Sequence, residues 1–216
     1  MRRAALIAVA LAAVLAGSAL AAQGDPQKKL TKADQARARA VSLRLSDFGA
    51  GWKQGPPSKK DESNPRCSTY NPDQSDLIET GTYDSPDFSR PDGTSVSSSS
   101  GVFRTAAMAK KGYARVVVPQ LPKCFAELFK KGITKPNSAT VFFAGALDFP
   151  SYGDRSNAYR IRASVKTPTA TVPATIDIVV FNRGRIDVAI IFVAISQPLP
   201  AALEQSVVAK LAARAR

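Results

Sequence analysis

The sequence predicts an α+β fold: a single domain with a mainly antiparallel sheet and helices packed on it, in the order α-β-β-α-α-β-β-β-β-α. Three observations predict it. Strand-like segments come in runs separated by turn-length connections, which favours hairpins over parallel crossovers. Residues 157–166 alternate strictly, with Tyr159, Ile161, Ala163 and Val165 on one side and Arg160, Arg162, Ser164 and Lys166 on the other, the pattern of a half-buried strand. Near the end, Leu199, Leu203, Val207 and Leu211 recur every four residues with Val208 beside them, a helical stripe suited to lie on a sheet.

The chain of 216 residues opens with Met1-Arg2-Arg3 and an apolar run from Ala4, followed by Ala19-Leu20-Ala21. A short basic start, an apolar centre and small residues at the end are the pattern of a secretory signal peptide, here 1–22. The stretch is long enough to span a bilayer, so an uncleaved anchor is the competing reading. Its Ala-rich composition and the A-x-A pattern favour cleavage, leaving no stable transmembrane anchor. Leu15-Ala16-Gly17-Ser18 resembles a lipobox with Ser in place of the Cys that accepts lipid. The expectation is therefore an exported, extracytoplasmic protein without lipidation.

Residues 23–31 read as a flexible lead-in to the domain at 32–216. Thr31 then caps a helix, with Asp34 three residues on in a near capping-box arrangement. Ala33, Ala36, Ala40, Val41 and Leu43 give that helix one small apolar face. Trp52 reads as a core anchor at its exit. Residues 77–88 and 94–104 are strands around the turn Arg90-Pro91-Asp92-Gly93. Ser95, Ser97, Ser98, Ser99 and Ser100 on the second strand are candidates to line a cleft beneath a helix. Helices follow at 105–118, interrupted by Pro119 and Pro122, and at 121–131, with Gly132 as the stop. Residues 140–149 form the most apolar of four further strands. The strands 172–181 and 185–195 make a hairpin around Asn182-Arg183-Gly184. Placing Ile176, Ile178 and Val180 on one face with Ile186, Val188 and Ile190 requires a three-residue loop, with Gly184 in its left-handed position.

Composition narrows the chemistry. With no His, the chain has no Ser-His-Asp triad, Cys-His pair or His-ligated metal, and its two Cys are too few for a structural zinc site. No cofactor is implied. Export makes Cys67 and Cys124 most simply one disulfide, against the alternative of a reactive thiol. Asp84, Asp87 and Asp92 lack the regular spacing of a calcium loop. Asp148, Asp154, Asp177 and Asp187 lie near or within the last strands. Asp177 and Asp187 share an expected face with Arg185, where neighbouring cations suit ion pairing better than acid–base catalysis. Gly49-Ala50-Gly51 followed by Gly55 has the wrong spacing for a dinucleotide loop. A non-enzymatic protein is expected.

Charge is uneven. Residues 24–92 carry 11 basic and 11 acidic groups, whereas 93–216 carry 17 basic and 6 acidic. Arg160, Arg162, Lys166, Arg183 and Arg185 are the candidate contacts for an anionic surface, against the alternative of an ordinary solvated basic face. Export makes nucleic acid a poor partner, and a monomer is expected.

The segments "SDFGAGW", "DSPDFSRPDGTSVSSSSGVFRT" and "VVFNRGRIDVAIIFVAI", with Cys67 and Cys124 between and "LAARAR" at the end, resemble the exported sensor-like domains and lipoproteins of actinobacteria. That group includes the extracellular domain of a mycobacterial-type Ser/Thr kinase and lipoproteins with a PsbP-like α/β/α fold. The resemblance implies an antiparallel sheet with helices on its faces and a ligand cleft. It supplies no catalytic residues. The resulting expectation is a secreted binding or sensor-like envelope protein holding a small apolar or amphipathic ligand between sheet and helices. The alternative is a pocketless protein that binds anionic polymer or lipid through its basic half.

Overall fold

Both faces of the central sheet are covered by helices, because its middle strands are apolar at nearly every position. The structure, a computed structural model, describes residues 24–57 and 65–216. The expected signal peptide, its cleavage point and Ser18 lie outside the described residues. The strands are β1 (Gln27–Lys28), β2 (Lys53–Gln54), β3 (Ile78–Asp84), β4 (Phe88–Ser89), β5 (Ser95–Phe103), β6 (Ser138–Ala146), β7 (Arg155–Lys166), β8 (Thr171–Arg183) and β9 (Ile186–Ile195). The helices are α1 (Lys32–Val41), α2 (Ala106–Val116), α3 (Leu121–Gly132) and α4 (Ala201–Arg214). Strand order is β1-β3-β5-β9-β8-β7-β6, with β4 pairing β5 and β2. All pairs are antiparallel except β1 with β3. The fold is thus the expected α+β class.

Two corrections concern the first third of the chain. The lead-in is not free: Gln27 and Lys29 donate backbone hydrogen bonds to Leu77 and Glu79 at 2.9 and 2.8 Å, forming the parallel edge strand β1. The strand expected at 77–88 is broken after Asp84, and Phe88–Ser89 resumes pairing with β5 as a separate short strand that also pairs with β2. Pro86 in that break cannot donate to a ladder.

One face of the sheet carries Val179, Phe181, Ile186, Val188, Ile190 and Phe192, and packs on α1 and α4 through Ala38, Val41, Val207, Val208 and Leu211. The other carries Ile161, Val165, Ile176, Ile178 and Val193, and packs on α2 and α3 through Tyr113, Leu121, Cys124 and Phe129. Trp52 is a core anchor as expected, its ring stacked on Phe48 at 4.4 Å between centroids. Cys67 and Cys124 are disulfide-bonded, tying the segment before β3 to α3.

The hairpin register differs from the expectation. Arg183 pairs with Ile186 and Asn182 with Asp187, so the loop is the two residues Gly184-Arg185, with Gly184 at φ 56°. Glycine at the first loop position is the II′ arrangement. Ile176, Ile178 and Val180 therefore share a face with Val193, Ile191 and Ala189, not with Ile186, Val188 and Ile190. A one-residue slip swaps the two faces of a strand, and β8 is buried on both from Ala174 to Asn182. Hydrophobicity alone had no polar side against which to set the register.

Helix α1 lies so close to β3 that only glycine fits at position 81. A Cβ there would stand 2.2 Å from the Asp34 carbonyl oxygen. This backbone-on-backbone contact sets the height of α1 above the sheet. It also defines one wall of the groove described next.

Candidate functional site

The N-terminal turn of α1 is capped by Thr31, whose hydroxyl accepts from the Asp34 N–H at 3.1 Å. Asp34 in turn receives Arg185 from the β8–β9 turn at 2.6 Å. Gln35 accepts from the Thr82 N–H of β3 at 2.6 Å. Serines complete the attachment. The Ser100 hydroxyl donates to the Ala38 carbonyl at 2.8 Å, and the Leu43 N–H donates to the Ser98 hydroxyl at 3.1 Å. The helix is thereby held rigidly on the sheet along one side and leaves its other side open.

That open side forms a groove of about 890 Å³. Its helix wall is Lys32, Gln35, Ala36, Arg39 and Ala40, one stripe at helical spacing. Facing it are Tyr83, Pro86, Phe88 and Gln54, with Leu43, Arg44 and Leu45 closing one end and Leu30 the other. The apolar face expected of this helix joins Ala33, Ala36 and Ala40 to Val41 and Leu43. All three alanines are exposed, whereas Ala38, Val41, Ser42 and Leu43 are buried. The small side chains at 36 and 40 create the room. At the mouth, Leu30 and Leu45 stand 47% and 43% exposed, unusual for Leu. Lys32, Arg39 and Arg44 add positive charge, and no carboxylate is among the lining residues. The Arg39 guanidinium lies 5.1 Å from the Tyr83 ring centroid, a cation–π contact that holds it over the groove.

The expected cleft-lining serines do not line this groove. Ser98 and Ser100 are buried, Ser100 bonded to α1 at Ala38 and Ser98 to the Leu43 N–H just past its end. Ser95, Ser97 and Ser99 point to the opposite face, since successive strand residues alternate. The run is a glue strip for a helix.

The five candidate anionic-surface contacts are not one surface either. Arg160 grips Asp177 with two hydrogen bonds of 2.7 and 2.6 Å. Arg185 holds Asp34 and donates to the Phe103 carbonyl at 2.7 Å. Arg183 donates to the Ala212 carbonyl at 3.1 Å, near the end of α4. Arg162 and Lys166 are exposed on β7. The internal partners are up to 151 residues away in sequence, so local pattern gives no sign of them.

Buried carboxylates are a feature the sequence reading missed. Glu204 on α4 is fully covered, with Asp177 beside it. Burial first, then the Asp177 negative charge, pushes the Glu204 carboxyl well above the ordinary range. Asp177 and Asp187 do not share a face: Asp177 opposes Phe192, whereas Asp187 opposes Asn182. The Asp187 carboxylate lies deep although its residue keeps some solvent contact, and burial pushes it up to about 7, opposed by a 2.6 Å hydrogen bond from Asn182. Asp34 and Asp47 are held low instead. Hydrogen bonds from Thr80 and Arg185 at Asp34, and from Arg214 at Asp47, outweigh the opposing effect of burial.

A pH dependence follows. Glu204 has an ordinary value of 4.5, and its folded value is higher, so the folded state takes up a proton. That contribution to stability is complete below about pH 4.5 and is lost as pH rises through the folded value. Asp187 acts in the same direction between 3.8 and about 7. Urea unfolding is expected to show a loss of stability from about pH 4 to about pH 8, and Glu204→Gln to remove much of it. An unchanged slope in the variant would contradict this assignment.

No helix among the described residues is long and apolar enough to cross a membrane. No family model matches the sequence, and no curated protein matches it. Among solved structures the chain is similar to the extracellular domain of PknH from Mycobacterium tuberculosis. The TM-score is 0.47 and the identity 12%, covering 84% of this chain and 95% of that one.

Proposed function

We propose that this is a non-enzymatic, extracytoplasmic binding protein of sensor-like type, and that the groove beside α1 holds an amphipathic anion. The observation that carries this reading is the composition of the groove. Exposed Leu30 and Leu45 flank a floor of Phe88 and Tyr83, and Lys32, Arg39 and Arg44 stand over it without a carboxylate. An apolar chain would cover the leucines and lie over Ala36 and Ala40, while an acidic headgroup would meet the cations. The volume of about 890 Å³ lies within the usual range for small-molecule sites. Export rests on the pattern of the first 22 residues, and intact mass of the mature protein tests both cleavage and the absence of lipid.

Native mass spectrometry of protein exported by its own host tests the groove. A bound mass that survives gentle conditions and disappears on denaturation is expected. Ala40→Phe fills the groove from an exposed position, so the variant should fold normally and lose that mass. Retention of the mass in the variant would place the ligand elsewhere.

A further inference from the structure

The strand expected to be most apolar is not central. β6 is the outer edge of the sheet, and its Phe142 and Phe143 are 60% and 43% exposed. A register shift between Val141 and Phe143 breaks the alternation there, so two adjacent phenylalanines escape the core. Phe143 pairs across the ladder with Arg162, and its ring lies over Gly145, where an added Cβ would meet it at 3.2 Å. The Arg162 guanidinium sits 5.4 Å from the centroid of the Phe142 ring. Lys166 lies on the same side of β7, two strand repeats further along.

Arg162 and Lys166 stand opposite only uncharged residues on both neighbouring strands, and the one carboxylate this face of β8 carries, Asp177, is buried against Arg160. On this side of the sheet, β6 contributes Ser138, Thr140 and Gly145, and β8 contributes Thr171, Pro173 and Thr175. Neither Arg162 nor Lys166 has an ion pair among the described residues, whereas Arg160 nearer the core is already neutralised by Asp177. Between Lys123 and Lys166 the chain carries eight cations and three carboxylates. Of those three, Glu127 pairs with Lys131 and Asp154 accepts from the Gly184 N–H.

We infer that this face of β6 and β7 docks on a bilayer containing anionic lipid, with Phe142 and Phe143 entering the interface and Arg162 and Lys166 meeting the headgroups. Aromatic side chains partition into the boundary between headgroups and acyl chains, and long cationic side chains reach back to phosphate. An anionic wall polymer would satisfy the cations and leave the two rings in water. A second copy docked face to face would oppose Arg162 and Lys166 to their own equivalents. The bilayer alone satisfies both halves of the patch. This face lies on β6 and β7, apart from the groove residues of α1, β3 and β4, so the inference does not rest on the groove's ligand.

Co-sedimentation of the mature protein with vesicles tests it. Binding is expected to vesicles of phosphatidylcholine with about 30% phosphatidylglycerol, and to fall steeply in about 0.5 M salt. Each surface cation near an anionic bilayer contributes about 1 kcal/mol, so Arg162→Gln with Lys166→Gln should weaken binding on the order of tenfold or more. Phe142→Ser with Phe143→Ser removes only exposed side chains. It should weaken vesicle binding while leaving the unfolding midpoint unchanged. Equal binding to pure phosphatidylcholine, or no effect of either double variant, would overturn the inference. So would binding that depends on the cations alone, the result expected of a polymer site, or concentration-dependent dimerisation abolished by the Phe variants.

Discussion

Replacing both Cys67 and Cys124 with Ser is expected to lower the unfolding free energy by about 4 kcal/mol. The bond spans 57 residues of sequence, and closing a loop of that size removes much of the freedom of the unfolded chain. Beside the disulfide, Arg66 pairs with Asp25 at 2.7 Å and Tyr70 is buried in the core around α3. Tyr70 donates to the Val116 carbonyl at 2.8 Å, and Ser68 reaches Glu127 at 3.1 Å. Urea unfolding of the double variant measures the loss, and dithiothreitol should reproduce it in the parent protein. A loss below about 1 kcal/mol would mean that the unfolded chain is already held compact in this region.

Arg160→Gln is expected to cost about 3 kcal/mol at neutral pH. Asp177 is 2% exposed, and the guanidinium of Arg160 is its only ion-pair partner among the described residues. Removing the cation leaves a buried carboxylate uncompensated and facing Glu204. Without the Arg160 charge, which opposes the rise at Glu204, the Glu204 carboxyl would hold its proton more tightly, so the variant should lose still more stability as pH rises. Asp177→Asn in the same chain should restore part of the loss, because it removes the stranded charge. If the double variant is no better than Arg160→Gln alone, Arg160 acts through packing of its aliphatic stem and not through charge.

The residues show where sequence reasoning succeeds and where it stops. β7 was legible because one of its faces is polar, and Tyr159, Ile161, Ala163 and Val165 are indeed all buried. The β8–β9 register was not, because β8 has no polar face. The helix α1 is mostly small and charged residues, so its alanines did not declare which side meets the sheet. Gly81 decides that side by admitting the helix backbone, and Ala36 and Ala40 are left to line a groove. The basic residues of the second half were visible as a charge surplus. Which of them stay free depends on partners far along the chain, such as Asp34 for Arg185 and Asp47 for Arg214. Lys32, Arg39 and Arg44 went unnoticed as a cluster because they lie in the half of the chain whose net charge is zero.

The groove is the centre of this account, and backbone amide NMR with a long-chain alkyl carboxylate tests it most directly. Titration of the probe is expected to shift resonances of Lys32, Ala36, Arg39, Ala40, Leu45 and Tyr83 together, and to leave those of Phe142 and Phe143 unchanged below the concentration at which the probe forms micelles. Saturable shifts confined to other parts of the fold, or no shifts, would contradict a ligand site beside α1.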